Sequence, residues 1–367
     1  MEKPAQPASK RSAAVIKSAR IENFNGFPFL ELPDLGRITL LGGRNNTGKT
    51  SVLEALFLFH DRLNPSLVHR QFGWQGVGVL PLEPEAIWGP IFRRYDLTRT
   101  ISISITDETG TETMAVQCSR LLPTAAVRER RPGDSSDIPQ LDTTQEQVPP
   151  VRLDLTYRRE GRQDQILHLE MRPAGLGLHA EYAETGVRPT TYLAARSARH
   201  PSEDATRFGR LDVLGRQDTV VEFLRIMEPR LKSLSTVAAG EQSLVHGDIA
   251  IGRKIPVAFM GDGMARLLSL ILAIATSEHG LVLVDEVENG IHHSVVDKVW
   301  EGVAAAARAL DCQVIATPHS QECLAATVPG MAAAGMADEF RYVRLDRTGE
   351  DITAKTCLRP FLQELVL

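Results

Sequence analysis

The eight residues GRNNTGKT, 43–50, constrain this chain more than any other stretch, because they fit G-x-x-x-x-G-K-[ST] in the context that pattern requires. The apolar run GRITLLG (36–42) precedes them and reads as a strand. KTSVLEALFLFHDRL follows, and within it Val52, Leu53, Leu56, Phe57 and Leu63 recur with helical spacing. A strand that breaks into a glycine-bearing loop and then a helix turns a row of backbone N–H groups, and the positive end of the helix, toward one point. That arrangement suits the phosphates of a nucleotide. Gly43 and Gly48 fall where a side chain would block close approach, Lys49 reaches the β- and γ-phosphates, and the Thr50 hydroxyl is a ligand for Mg²⁺. The predicted nucleotide-binding run is Gly43, Arg44, Asn45, Asn46, Thr47, Gly48, Lys49, Thr50 and Ser51. Lysine is rare in the chain, 8 of 41 Lys plus Arg with none between Lys49 and Lys232, so its occurrence in the loop is hard to ascribe to chance.

A second site pattern lies in LVLVDEVENG (281–290), an apolar strand that ends in two adjacent carboxylates. Beside a phosphate-binding loop, Asp285 is predicted to hold the Mg²⁺ shell with Thr50, and Glu286 to polarise the attacking water. CQVIATPHSQE (312–322) is another apolar strand, ending near His319, which is placed to contact a γ-phosphate or relay its movement. Glu286, His319 and Lys49 form the candidate catalytic set. A zinc site is not favoured: the neighbouring His292 and His293 are expected to diverge, and no second spaced pair completes a ligand set. Cys118, Cys312, Cys323 and Cys357 form no C-x-x-C pair, so neither a zinc ribbon nor a disulfide framework is indicated. In AFMGDGMARLL (258–268) a Gly-Asp-Gly triplet stands directly before a predicted helix, and by itself reads as a turn.

Residues 1–12 read as a loose polar tail and 123–150, rich in Arg, Asp, Pro, Ser and Thr, as an exposed loop. Strands are predicted in 13–24 and 99–121, the latter a hairpin around Glu108-Thr109-Gly110, and a further pair in VRLDLTYRR and QILHLEM. NGFPFLELPDL, between the first strand and GRITLLG, reads as a connecting hairpin or short extra strand. DTVVEFLRIMEPRLKSL (218–234) looks helical, with Pro229 breaking or kinking it. The closing third alternates helix 263–278, strand LVLVD, helix 294–309, strand CQVIAT and a helix near 321–327, which favours a parallel sheet with crossover helices. No internal repeat and no long heptad run occurs.

GRNNTGKT, MGDGMARLLSL, LVLVDEVENGIHHS and ATPHSQE, in that order, resemble an ABC-type ATPase head, and more narrowly the branch of SMC, RecF and the stand-alone OLD-like AAA-family ATPases of phage defence. Softer matches at IFRRYD and YLAARS extend the resemblance from about Ala14 to about Leu324. It implies an α/β P-loop fold with a mainly parallel core sheet, an antiparallel β subdomain and a helical segment carrying the signature motif. It divides one domain, 13–367, into a P-loop half to about 120, a variable middle to about 250, a second motif-bearing half to about 345, and a C-terminal strand and helix over about 346–367. It implies ATP and Mg²⁺ as cofactors, with Gly261, Asp262, Gly263 and Met264 as the signature facing the γ-phosphate of a second subunit. Glu288, Asn289 and Gly290 would be the D-loop at the interface of a homodimer, and the Q-loop glutamine would be Gln71 or Gln75. Two departures stand out: Asp262 where transporters have glycine, and Pro318 before His319 where threonine is usual, which stiffens the switch loop.

Function follows the same resemblance. The leading expectation is an ATP-hydrolysing dimeric switch in phage defence; the alternative is a RecF- or SMC-like DNA-binding ATPase of repair or maintenance. Only 48 residues follow His319, too few for a nuclease domain, so an effector nuclease or toxin is expected to be a separate protein. A net charge of −5 gives no global field for nucleic acid, so DNA contact would fall on RERRPG (128–133), TYRREGR (156–162) or AARSARH (194–200). The absence of an N-K-x-D motif speaks against a GTPase. With no apolar run of membrane length and no secretory signal, a cytoplasmic location without membrane contact is expected.

Overall fold

The structure, a computed structural model, describes residues 15–62, 84–120, 151–172, 175–180, 188–195, 201–240 and 242–357. The expected tail 1–12, the loop 123–150 and the C-terminal helix lie outside these residues, as do Gln71 and Gln75.

The strand predicted from GRITLLG is β3, Ile38–Gly43, and it sits inside a six-stranded sheet. Around it lie β1 (Ser18–Glu22), β2 (Phe29–Leu32) and helix α1 (Lys49–His60). A short helix, α2 (Pro84–Trp88), leads to β4 (Ile101–Asp107) and β5 (Gly110–Arg120), then β6 (Val151–Arg159), β7 (Gln165–Arg172), β8 (Gly175–Ala180) and β9 (Thr190–Leu193). Two helices follow, α3 (Pro201–Val213) and α4 (Gln217–Leu224), then β10 (Ser233–Ala239), β11 (Gln242–Asp248) and β12 (Ile255–Pro256). The last part is α5 (Asp262–Thr276), β13 (Leu281–Val284), α6 (Val296–Ala309), β14 (Gln313–Ala316), α7 (Gln321–Ala333), β15 (Phe340–Thr348) and β16 (Asp351–Cys357).

The core sheet has the order β16-β15-β3-β14-β13-β9 and is parallel except for β16, as the strand–helix alternation predicted. Its central strands are buried on both faces, which explains their continuous apolar sequences. Alternate residues serve different cores. Ile38, Leu40, Val282, Val284, Val314 and Ala316 join the cluster built with α3 to α7, whereas Leu41, Leu281, Leu283 and Ile315 join the one built with α1 and the antiparallel sheet. That second sheet has seven strands, β2-β1-β4-β5-β6-β7-β8, and its alternating pattern is plain in ISISITD, where Ile101, Ile103 and Ile105 are buried.

Several elements differ from expectation. The helix predicted over 218–234 ends at Leu224; Glu228 accepts the Arg230 amide in a turn around Pro229, and Ser233 already begins β10. The helix expected near 321–327 continues through Pro329 to Ala333, with Cys323, Thr327, Gly330 and Met331 buried along it, so packing outweighs one missing amide. The C-terminal strand is one arm of a hairpin, β15–β16. Helix α3, strands β8 and β9, and the small sheet β10-β11-β12 were not foreseen, although Ala205, Phe208 and Leu211 recur every three residues along α3. Among the described residues, no helix is long and apolar enough to cross a membrane.

Candidate nucleotide site

The loop between β3 and α1 takes its shape from residues that tolerate left-handed backbone. Gly43 has φ 140, Asn46 φ 63 and Gly48 φ 87. These glycines answer to the fold as well as to any ligand: a Cβ at Gly43 would lie 2.5 Å from the Leu345 carbonyl oxygen, and one at Gly48 2.5 Å from the Phe27 ring. Gly48 is the N-cap of α1 and offers no side-chain acceptor, and no acidic residue lies in the first turn, so the helix keeps its positive end for an anion. Thr47 Oγ1 donates to the Arg44 carbonyl at 2.8 Å, while Arg44, Asn45 and Asn46 are exposed. Lys49 Nζ donates to the carbonyls of Gly43 (2.9 Å) and Arg44 (3.1 Å). Burial pulls the Lys49 ammonium below its ordinary range, opposed by the charges of Asp285, Glu286 and Glu288.

Across the sheet, the carboxyl end of β13 meets this loop. Thr50 Oγ1 donates to Asp285 Oδ2 at 3.0 Å, and Thr317 Oγ1 donates to Asp285 Oδ1 at 2.6 Å. Asp285 is buried, and its amide donates to Leu193, in the YLAARS stretch, at 2.8 Å. Two hard oxygen donors from separate elements therefore stand side by side, a set that would fit Mg²⁺. Glu286 follows with φ 47, in the left-handed region. Its amide donates to Thr317 Oγ1 at 2.9 Å, and its carbonyl accepts from Arg266 Nη2 at 3.1 Å. Arg266 Nε also donates to the Val287 carbonyl at 3.1 Å. Sequence reasoning missed both Thr317 and Arg266. Each stands in a quoted motif, ATPHSQE and MGDGMARLLSL, but only the fold aims it at the acidic turn.

His319 is exposed, and its amide donates to Glu288 Oε1 at 2.6 Å; the Ser320 amide donates to the same oxygen at 2.7 Å. Within this chain Glu288 thus supports the start of α7, where Ser320 is the N-cap. Asn289 and Gly290 are exposed, and Asn289 Nδ2 donates to the Ala195 carbonyl at 3.2 Å.

Gly261 is the N-cap of α5 with φ 108 and no atom within 4 Å of where a Cβ would stand. Asp262 is exposed, whereas Gly263 and Met264 are buried; Gly263 packs against Met227 and Val295. One glycine of the triplet thus serves an open helix end and the other serves packing. The expectation that His292 and His293 diverge is corrected: their rings lie 4.1 Å apart at 36°, because His292 caps a short 3-10 turn that folds His293 back over it. Among the described residues no group of three His, Cys, Asp or Glu could hold a metal ion. In TYRREGR, Arg158 pairs with Asp164 and Arg159 with Glu112, both at 2.9 Å. RERRPG and most of AARSARH lie outside the described residues.

The family model described as "AAA domain, putative AbiEii toxin, Type IV TA system" matches residues 38–325. An ATP/GTP phosphatase of Helicobacter pylori is 21% identical over 332 residues, covering 84% of this chain and 86% of that protein. An uncharacterized protein of Methanocaldococcus jannaschii is 45% identical over 49 residues, 13% of this chain and 22% of that one. Among solved structures, an SMC head bound to the C-winged helix domain of ScpA has a TM-score of 0.49 at 10% identity, covering 95% of this chain and 99% of that one. The SMC head domain from Thermotoga maritima has a TM-score of 0.40 at 9% identity, covering 94% and 99%.

Proposed function

The chain belongs to that AAA-domain family and is an ATPase, and we propose that it works as a dimeric, nucleotide-dependent switch in phage defence, acting through a separate effector. One observation carries the hydrolytic part of this reading: Thr50 and Thr317 converge on Asp285, with Glu286 next to it on the same turn. In this reading the loop 43–51 wraps the phosphates, and Lys49 leaves its loop carbonyls for phosphate oxygens. Thr50 and Asp285 would hold Mg²⁺, which would supply charge neutralisation to the phosphates. Glu286 accepts a proton from the attacking water, and His319, exposed with its amide on Glu288, senses the γ-phosphate. The left-handed φ of 47 at Glu286 supports a catalytic role, since strain of this kind gathers at functional turns.

The open N-terminus of α5 at Gly261 and the exposed Asn289 and Gly290 suit a surface that a second copy would cover. The family description names a toxin of a Type IV TA system, which supports action on cell survival rather than transport.

Turnover of Mg·ATP and mass by light scattering, for wild type and Glu286→Gln, test the reading together. The expected result is turnover at least about 100-fold lower in the variant, with an ATP-dependent doubling of mass. A wild type that binds ATP without hydrolysing it would remove Glu286 from catalysis, and a mass that never doubles would remove the dimer. Turnover stimulated by DNA and falling steeply with salt would move the role to DNA maintenance.

A further inference from the structure

The hairpin β15–β16 runs alongside the nucleotide loop and bonds to it. Strand β15 pairs with β3 as far as Leu345 opposite Gly43, which brings the hairpin turn level with the loop. There Arg347 Nη1 donates to the Asn46 carbonyl at 3.0 Å, and its Nε donates to the Gly349 carbonyl at 3.0 Å, so the guanidinium is braced on its own turn while it holds the loop. The far side of the turn is tied down as well: Glu350 pairs with both Arg93 and Arg94 of the IFRRYD stretch.

We propose that Arg347 is a positioning residue for the nucleotide loop, setting the Asn46–Thr47 peptide so that the Thr47 amide faces the triphosphate. This rests on the ATP-site reading given above. The C=O and N–H of a trans peptide point in opposite directions, and the described chain contains no cis peptide bond. A donor that fixes the Asn46 oxygen on the hairpin side therefore turns the Thr47 N–H to the opposite side. Asn46 at φ 63 is the one non-glycine residue of the loop in left-handed backbone, so its peptide is the one most in need of an external hold. Two further carbonyls of the loop are held by its own side chains: Lys49 holds those of Gly43 and Arg44, and Thr47 also holds that of Arg44. Arg347 adds the Asn46 carbonyl from 301 residues away in sequence.

The test is the affinity of the full chain for a fluorescent ATP analogue, mant-ATP, with Mg²⁺, together with KM and kcat for ATP. Arg347→Ala and Arg347→Met are expected to bind about tenfold more weakly and to raise KM by a similar factor, with kcat within about threefold of wild type. Arg347→Lys, which keeps a donor near the Asn46 carbonyl, is expected to recover most of the loss. The tenfold ratio should persist from about 0.05 to about 0.5 M KCl, because a screened attraction between Arg347 and the nucleotide would fade over that range. A ratio that collapses with salt, or variants within twofold of wild type, overturns the inference. Lys49→Ala separates the two levels of the reading. If it binds weakly while the Arg347 variants bind like wild type, this inference alone fails; if wild type does not bind mant-ATP, the ATP site fails with it. The Met variant keeps the side-chain stem, so a folding failure of Arg347→Ala leaves the test standing.

Discussion

Asp285 accepts two threonine hydroxyls, and only one of those threonines was visible in the sequence. Thr50 belongs to a spaced motif whose chemistry names each position, so its partnership with Asp285 could be written down in advance. Thr317 is the residue after β14, and although it stands in ATPHSQE, no spacing rule there assigns it a partner. Its bonds to Asp285 Oδ1 and to the Glu286 amide arise because β13 and β14 are parallel neighbours in register, Val284 opposite Ala316, so that the next residues of both strands meet. Replacing Thr317 with Val removes the donor at nearly constant volume. The expected outcome is a fall in kcat of about 10- to 100-fold with nucleotide affinity within about threefold, and recovery in Thr317→Ser. A change confined to affinity would show that Thr317 does not orient the acidic turn.

Helix α5 does two things at once. Its N-terminus carries the exposed Gly261, and its first turns carry Arg266, whose buried guanidinium holds the carbonyls of Glu286 and Val287. A displacement of the helix end would therefore be felt at the backbone of the same chain's acidic turn. Arg266→Met should lower kcat by about 10- to 100-fold while mant-ATP binding stays within about threefold, with partial recovery in Arg266→Lys, whose single ammonium cannot span both carbonyls. Equal losses in binding and turnover would instead mark Arg266 as a general support of the fold. At this scale the sequence was most informative where apolar residues run through a long element, as in α1 and α5, where one face repeats, as in α6, or where strict alternation marks a hairpin, as in β4 and β5. It was least informative between 201 and 256. There α3 is marked by three spaced apolar residues among many charges, and β10 and β11 form a hairpin with much exposed surface and little apolar alternation to announce it.

For the molecule as a whole, the division into a core sheet and an antiparallel subdomain could be anticipated, but the depth at which charged groups sit between them could not. His60, the last residue of α1, is buried, and burial holds its imidazole well below the ordinary value of 6.5, with the charges of Arg188 and Arg62 acting in the same direction. Arg62 stacks 3.7 Å from the centre of the Tyr157 ring of β6, so this cluster bridges α1 and the antiparallel sheet. Below pH 6.5 the unfolded chain takes up a proton at this position that the folded chain refuses, so stability is lost as pH falls from 6.5 toward the folded-state value. His60→Phe should remove that component. Compared by urea unfolding, the wild type should lose up to about 1.4 kcal/mol per pH unit more than the variant between about pH 6.5 and 5. Parallel pH profiles would mean that His60 protonates in the folded chain.

Because neighbouring side chains of β13 and β14 point into different cores, a single short strand is a two-channel listening post. An isotope-labelled methyl on Val282 reports on the helical side, and one on Leu283, the next residue, reports on the side of α1 and the antiparallel sheet. The order in which the two signals move when nucleotide is added would tell which half of the protein hears the message first.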